Sequence, residues 1–133
     1  MLFKSIKISE TIHIDIRWLS YLAKNKTQKP QSLGEFTINE NVSFYFLQQI
    51  NRSLKKNALI KSKLGNWGGY LLAKPANKIT LKEIIEAVEG PISLINCAHY
   101  QCSNIQCKQK NIWGKINKEI EKIFSRTKLS DLI

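Results

Sequence analysis

At 133 residues and 43% hydrophobic composition, the chain fits one domain with a real core, which excludes an intrinsically disordered protein. The 21 Lys and Arg against 10 Asp and Glu leave a net charge of +11, which favours a polyanionic partner. No apolar run is long enough to span a membrane, and the N-terminus lacks the continuous apolar stretch of a signal peptide. The expectation is a cytoplasmic protein with no membrane association.

The first predicted helix covers about residues 9–23. Ile12, Ile16, Leu19 and Ala23 recur as one apolar stripe, and Ser9 is placed to cap it. His13, Arg17 and Lys24 fall on a second, polar stripe. After a polar connector, residues 32–41 read as a short helix carrying Leu33, Phe36 and Ile38. Glu35 lies three residues after Ser32, the spacing of a capping box. Asn41 stands where a turn between two helices needs a residue tolerant of positive φ, and Ser43 can cap the third helix.

This third helix, residues 44–56, carries the chemistry of a DNA reader. Leu47, Ile50 and Leu54 form its buried stripe. Tyr45, Gln48, Gln49 and Arg52 form an outward one. Gln can bond an adenine edge, Arg a guanine or a phosphate, and Tyr a phosphate. A short helix, a tight turn and a second helix with such a face form the helix-turn-helix pattern. An ordinary solvated helix face is the alternative.

Residues 58–64 and 70–73 read as two strands around Gly65-Asn-Trp-Gly-Gly69, a β-hairpin placed as a wing. Alternation sets Ile60, Ser62 and Leu64 on one side. Lys61 and Lys63 lie on the other, toward the phosphate backbone. Asn66 and Trp67 join the DNA-facing set by position. Trp67 is expected to pack on the domain, with insertion at the minor groove as the alternative. No Gly-Lys-Ser/Thr comes after the glycines, so a nucleotide site is rejected.

Thr80 and Glu83 form a second capping-box pair. It opens a helix with Leu81, Ile84, Ile85 and Val88 on one face, ended by Gly90 and Pro91. All three cysteines come next within one polar stretch, Cys97-Ala-His-Tyr-Gln-Cys102-Ser-Asn-Ile-Gln-Cys107. In a reducing compartment an odd, clustered set of thiols reads as metal ligands or redox sensors rather than as disulfides. The last helix, about residues 112–125, has Trp113, Ile116, Ile120 and Ile123 alternating three and four apart, the spacing of a helix-packing seam. No paired carboxylates or nucleophile–base arrangement suggests an enzyme.

Gly65-Asn-Trp-Gly-Gly-Tyr-Leu-Leu-Ala-Lys-Pro75, Ile79-Thr-Leu-Lys-Glu-Ile-Ile-Glu-Ala-Val-Glu-Gly-Pro91, Leu94-Ile-Asn-Cys97 and Arg17-Trp-Leu-Ser-Tyr-Leu-Ala23 carry a resemblance. With them the chain resembles the Rrf-type winged-helix transcriptional regulators, the family of IscR and NsrR. The resemblance implies a mainly α fold with a small β-hairpin wing: a winged helix-turn-helix DNA-binding domain (residues 1–91), a cysteine-containing sensor loop (92–111), and a long C-terminal dimerisation helix with its tail (112–133). It further implies a homodimer on double-stranded DNA, a repressor, with an iron–sulfur cluster (2Fe–2S or 4Fe–4S) held by Cys97, Cys102 and Cys107. The signal would be nitric oxide, redox or iron–sulfur status.

Three positions depart from IscR-like members. The position three residues after the last cysteine, a histidine there, is Lys110 here. NsrR-like members use an acidic residue in the first helix of the partner subunit, and aligning on Arg17 puts His13 at that place, with Glu10, Asp15 and His99 as alternatives. Gln48 replaces a glutamate of the recognition helix and Leu64 an arginine of the wing, so different operators are expected. Zinc or cluster-free thiol chemistry at the same cysteines is the second reading, and a basic nucleic-acid or protein interaction module with vestigial cysteines is the third.

Overall fold

The computed structural model describes residues 8–93 and 107–133. Among the described residues, five helices and one hairpin are arranged in order: α1 (Glu10–Lys24), α2 (Leu33–Glu40), α3 (Phe44–Lys56), β1 (Ile60–Lys63), β2 (Gly69–Leu72), α4 (Leu81–Glu89) and α5 (Lys108–Arg126). Short 3-10 turns cover Ala76–Lys78 and Leu129–Leu132. No helix among the described residues is long and apolar enough to cross a membrane.

Side chains cap the helices where the sequence suggests. Ser9 accepts from the Ile12 amide, Ser43 from the Phe46 amide, and Thr80 forms the full capping box with Glu83. Ser32 differs: its hydroxyl accepts from the Gly34 amide at 3.2 Å rather than from that of Glu35. Asn41 adopts φ 53°, ψ 47°, the left-handed conformation that turns α2 into α3. Gly90 ends α4 at φ 86°.

The core gathers Trp18, Leu19 and Leu22 of α1, Leu33 and Phe36 of α2, Leu47, Ile50 and Leu54 of α3, Ile60 of β1, Ile84 of α4, and Leu59, Ile79 and Leu129 from connecting segments. Trp18 is its centre, 5.0 Å from the Phe36 ring and stacked at 5.8 Å on Tyr21. The buried face of α1 is Ile12, Asp15, Trp18, Leu19 and Leu22, so it is rotated from the stripe read in the sequence; Ile16 and Ala23 sit at its half-buried margin. The bulk of Trp18 sets this rotation, because it fills the space between α2 and α3. In α2, Thr37 is buried while Ile38 is 82% exposed.

The hairpin pairs Ile60 with Leu72 and Lys63 with Gly69. Gln31 adds a third lane by exchanging two 2.9 Å backbone hydrogen bonds with Tyr70. A Cβ on Gly69 would lie 2.5 Å from the Gln31 carbonyl oxygen, so only glycine admits this approach. At the other end of the fold, the chain leaving α5 returns to the core. Leu81 N donates to Thr127 O and Leu129 N to Ile79 O, both at 2.8 Å. α5 is therefore anchored at its C-terminus through the fully buried Leu129.

Candidate nucleic-acid interface

The α2–α3 turn and the Ser43 cap aim α3 with one face on the core and one outward. Leu47, Ile50 and Leu54 are buried, as their spacing predicts. Tyr45 is 69% exposed, Gln49 and Arg52 are exposed, and Gln48 is half-buried; Ser43 stands exposed at the start of the face. One polar residue breaks the pattern. Asn51 is buried, and its Oδ1 accepts from Trp18 Nε1 at 2.8 Å. This bond locks the inner side of α3 to α1, which fixes the angle at which the outer side is presented.

The hairpin joins the same face. Lys55 Nζ donates to Ser62 Oγ at 2.8 Å, linking the end of α3 to β1. Gln48, Asn51, Arg52, Lys55 and Tyr70 line a groove of about 160 Å³ between helix and hairpin. Nothing in the local sequence pattern marks Tyr70 for this groove; its place opposite Ser62 in the register puts it there. Lys61 and Lys63 are exposed along β1, and Asn66 is exposed at the turn. Trp67 does not pack on the domain: it is 92% exposed. Leu64 is 99% exposed, although alternation puts it on the side of the buried Ile60, because the hairpin tip extends past the core.

Charge is segregated along this half of the chain. Between Glu40 and Glu83 stand Arg52, Lys55, Lys56, Lys61, Lys63, Lys74, Lys78 and Lys82, and no acidic residue. Five of these, Arg52, Lys55, Lys56, Lys61 and Lys63, stand on α3 and the wing, where they suit phosphate contact, while Lys74 pairs with Glu83 and Lys82 with Glu86 and Glu121.

The cysteine stretch falls largely outside the described residues, and Cys97, His99 and Cys102 belong to that part. Cys107 is the residue preceding α5, half-buried and a free thiol. α5 begins four residues before the seam spacing alone suggests, so Lys110 lies in its first turn. His13 is exposed on α1. Among the described residues no three His, Cys, Asp or Glu side chains converge on a common point. Asp15 is fully buried with neither carboxyl oxygen hydrogen-bonded, so it is closed off from a second subunit. Burial foremost, then the nearby Glu89 charge, raises its pKa from 3.8 to about 8. Glu89 itself accepts a hydrogen bond from the Ser9 hydroxyl.

Helix-turn-helix, hairpin wing and a basic flank free of acids define a winged-helix DNA-binding regulator. More narrowly, the chain belongs to the Rrf2 family, described as iron-dependent transcriptional regulators, whose model matches residues 8–133. It is 29% identical over 127 residues to the HTH-type transcriptional regulator CymR of Bacillus subtilis, covering 96% of this chain and 89% of that one. The solved structure of that protein, the global cysteine regulator of B. subtilis, superposes with a TM-score of 0.79 over 96% of both chains. T. potens IscR superposes with a TM-score of 0.75 at 27% identity, covering 96% of this chain and 86% of that one. The oxidised form of Staphylococcus aureus CymR does so with a TM-score of 0.74 at 28% identity, covering 96% and 95%. These relatives are regulators of transcription and not enzymes.

Proposed function

We propose that the protein is a homodimeric repressor that reads two half-sites of duplex DNA and responds to nitric oxide, oxidants or iron–sulfur status through a cluster on Cys97, Cys102 and Cys107. The observation that carries the reading is the path from Cys107 to the DNA face. Cys107 immediately precedes α5. The segment after α5 is pinned by Leu129 inside the core that also backs α3. A displacement at the start of α5 is therefore passed along a rigid helix to the recognition domain.

The donor set fits the group. Three thiolates with four residues in each gap suit a soft metal centre, and a nitrogen or oxygen ligand can complete it. The exposed imidazole of His13, from the second subunit, is our candidate for the fourth position. A bound cluster supplies redox and nitric-oxide reactivity. The chain supplies the ligands, the lever and the reading helix. Ile112, Trp113, Ile116 and Ile123 line α5 as exposed large hydrophobics, and a second copy of α5 covers them. Half-sites about 34–36 Å apart make the spacing of the two α3 helices the controlled variable.

Protein purified without oxygen should be coloured, hold iron and sulfide, and bleach with nitric oxide. Colourless, iron-free protein from such a preparation refutes the cluster. One observation favours a second reading, zinc or cluster-free thiol chemistry at the same cysteines: the likeness to CymR, which is known in an oxidised form. Metal analysis with thiol titration separates the two.

A further inference from the structure

The wing tip exposes two large apolar side chains that nothing among the described residues covers. Leu64 is 99% and Trp67 92% exposed. The turn that carries them is tightly built. Gly68 N donates to Gly65 O at 3.0 Å, with Asn66 and Trp67 at the two central positions. A Cβ on Gly68 would meet the Lys63 carbonyl oxygen at 2.3 Å. The returning strand is thus pressed against the outgoing one.

The surroundings indicate what such a tip is for. Lys61 and Lys63 stand exposed on the strand leading to it, in a segment with no acid. The same hairpin is bonded to the recognition helix through Ser62 and Lys55. A duplex lying on Gln48 and Arg52 therefore meets the tip at its flank. Phosphates beside the lysines and base faces ahead of the indole match a groove of nucleic acid, whose walls are anionic and whose stacked interior is apolar. We propose that Trp67, supported by Leu64, is a wedge that enters the minor groove and partly unstacks one base step, bending the duplex toward the protein. Pyrimidine–purine steps, the easiest to unstack, are its preferred target. The inference rests on the DNA reading above and adds a mode of recognition to it.

The test uses the full chain and a duplex of alternating adenine and thymine, with 2-aminopurine at one central TpA step, at low salt. Wild type should bind and raise the 2-aminopurine emission as the step opens. Trp67→Ala should keep the wild-type melting temperature, bind on the order of tenfold more weakly and give no rise. Trp67→Phe should retain part of the rise. Binding and emission unchanged in both Trp67→Ala and Leu64→Ala would overturn the wedge and leave the DNA reading standing. A wild type that binds no duplex would sink both. Anionic phospholipid vesicles serve as the contrasting probe: vesicle binding lost in Trp67→Ala, with duplex binding equal to wild type, would assign the tip to a membrane surface and overturn the proposal.

Discussion

The indole N–H of Trp18 donates to the side-chain oxygen of Asn51 at 2.8 Å, with both residues buried. It joins α1 to the inner face of the recognition helix. Asn51→Leu keeps the volume but strands the Trp18 donor, which costs about 1–3 kcal/mol. Trp18→Phe strands the acceptor instead and also removes buried apolar area. The double substitution should cost less than the sum of the two, because neither orphan remains. Urea melts of all four proteins give the coupling directly. Additive losses would mean that the bond contributes nothing beyond packing.

Asp15 makes stability depend on pH in a direction opposite to that of a salt-bridged carboxylate. Its folded-state pKa is about 8, against 3.8 ordinarily, raised first by burial and then by Glu89. Between those values the folded protein holds a proton that the unfolded chain releases. Stability from this group is therefore intact below about pH 4 and declines by about 1.4 kcal/mol per pH unit until about pH 8. Asp15→Asn removes the titration, so its advantage over wild type should grow as pH rises through that window. Denaturation midpoints for both proteins at several pH values check it; parallel curves would show that Asp15 is ionised in the fold.

Asp15 and Asn51 also mark where the sequence stops being legible. Asn41, Ser43, Thr80 with Glu83, and Gly90 announce helix starts and stops by local chemistry, and the fold obeys each. The outward face of α3 comes from helical period alone. Asp15 and Asn51 lie on buried faces, but a polar residue in a periodic stripe is read as outward unless its tertiary partner is known. Leu64 and Trp67 fail for the converse reason. Alternation says which side of a strand a residue takes, and it does not say whether the core extends that far. The cysteine spacing is plain in the sequence, whereas Cys107 as the residue leading into α5 requires the helix start.

On the proposed reading, the DNA face divides into residues that choose a sequence and residues that hold a phosphate. Gln48→Ala and Arg52→Ala should each lower discrimination between selected and scrambled duplexes by about 1–3 kcal/mol for every base-edge interaction removed. Lys61→Ala and Lys63→Ala should weaken binding to all duplexes alike. Each should also reduce the log–log salt dependence by about 0.9 for every phosphate released. Fluorescence anisotropy across a salt series on both duplexes separates the two classes. Equal weakening on both duplexes for Gln48→Ala and Arg52→Ala would remove α3 from the role of reader.

The last helix offers a test of assembly that leaves the reading head untouched. Asn117 is buried against its own domain, where its amide donates to Ile92 O at 3.1 Å and to Glu121 Oε1 at 2.8 Å. Ile116 and Ile123 point elsewhere, 40% and 58% exposed in the single chain. Because those side chains make little of the core, Ile116→Glu with Ile123→Glu should leave the domain folded. Charge placed in an apolar seam carries a desolvation cost that two copies of α5 would bear together. On the proposed assembly, sedimentation should show a dimer for wild type and a monomer for this variant. The monomer still carries one complete α3 and wing, so it should bind a single half-site as before. Its affinity for a two-half-site duplex should fall by about 10²- to 10⁴-fold, the contribution of linking two binding events. A variant that stays dimeric would move the pairing surface off this face of α5.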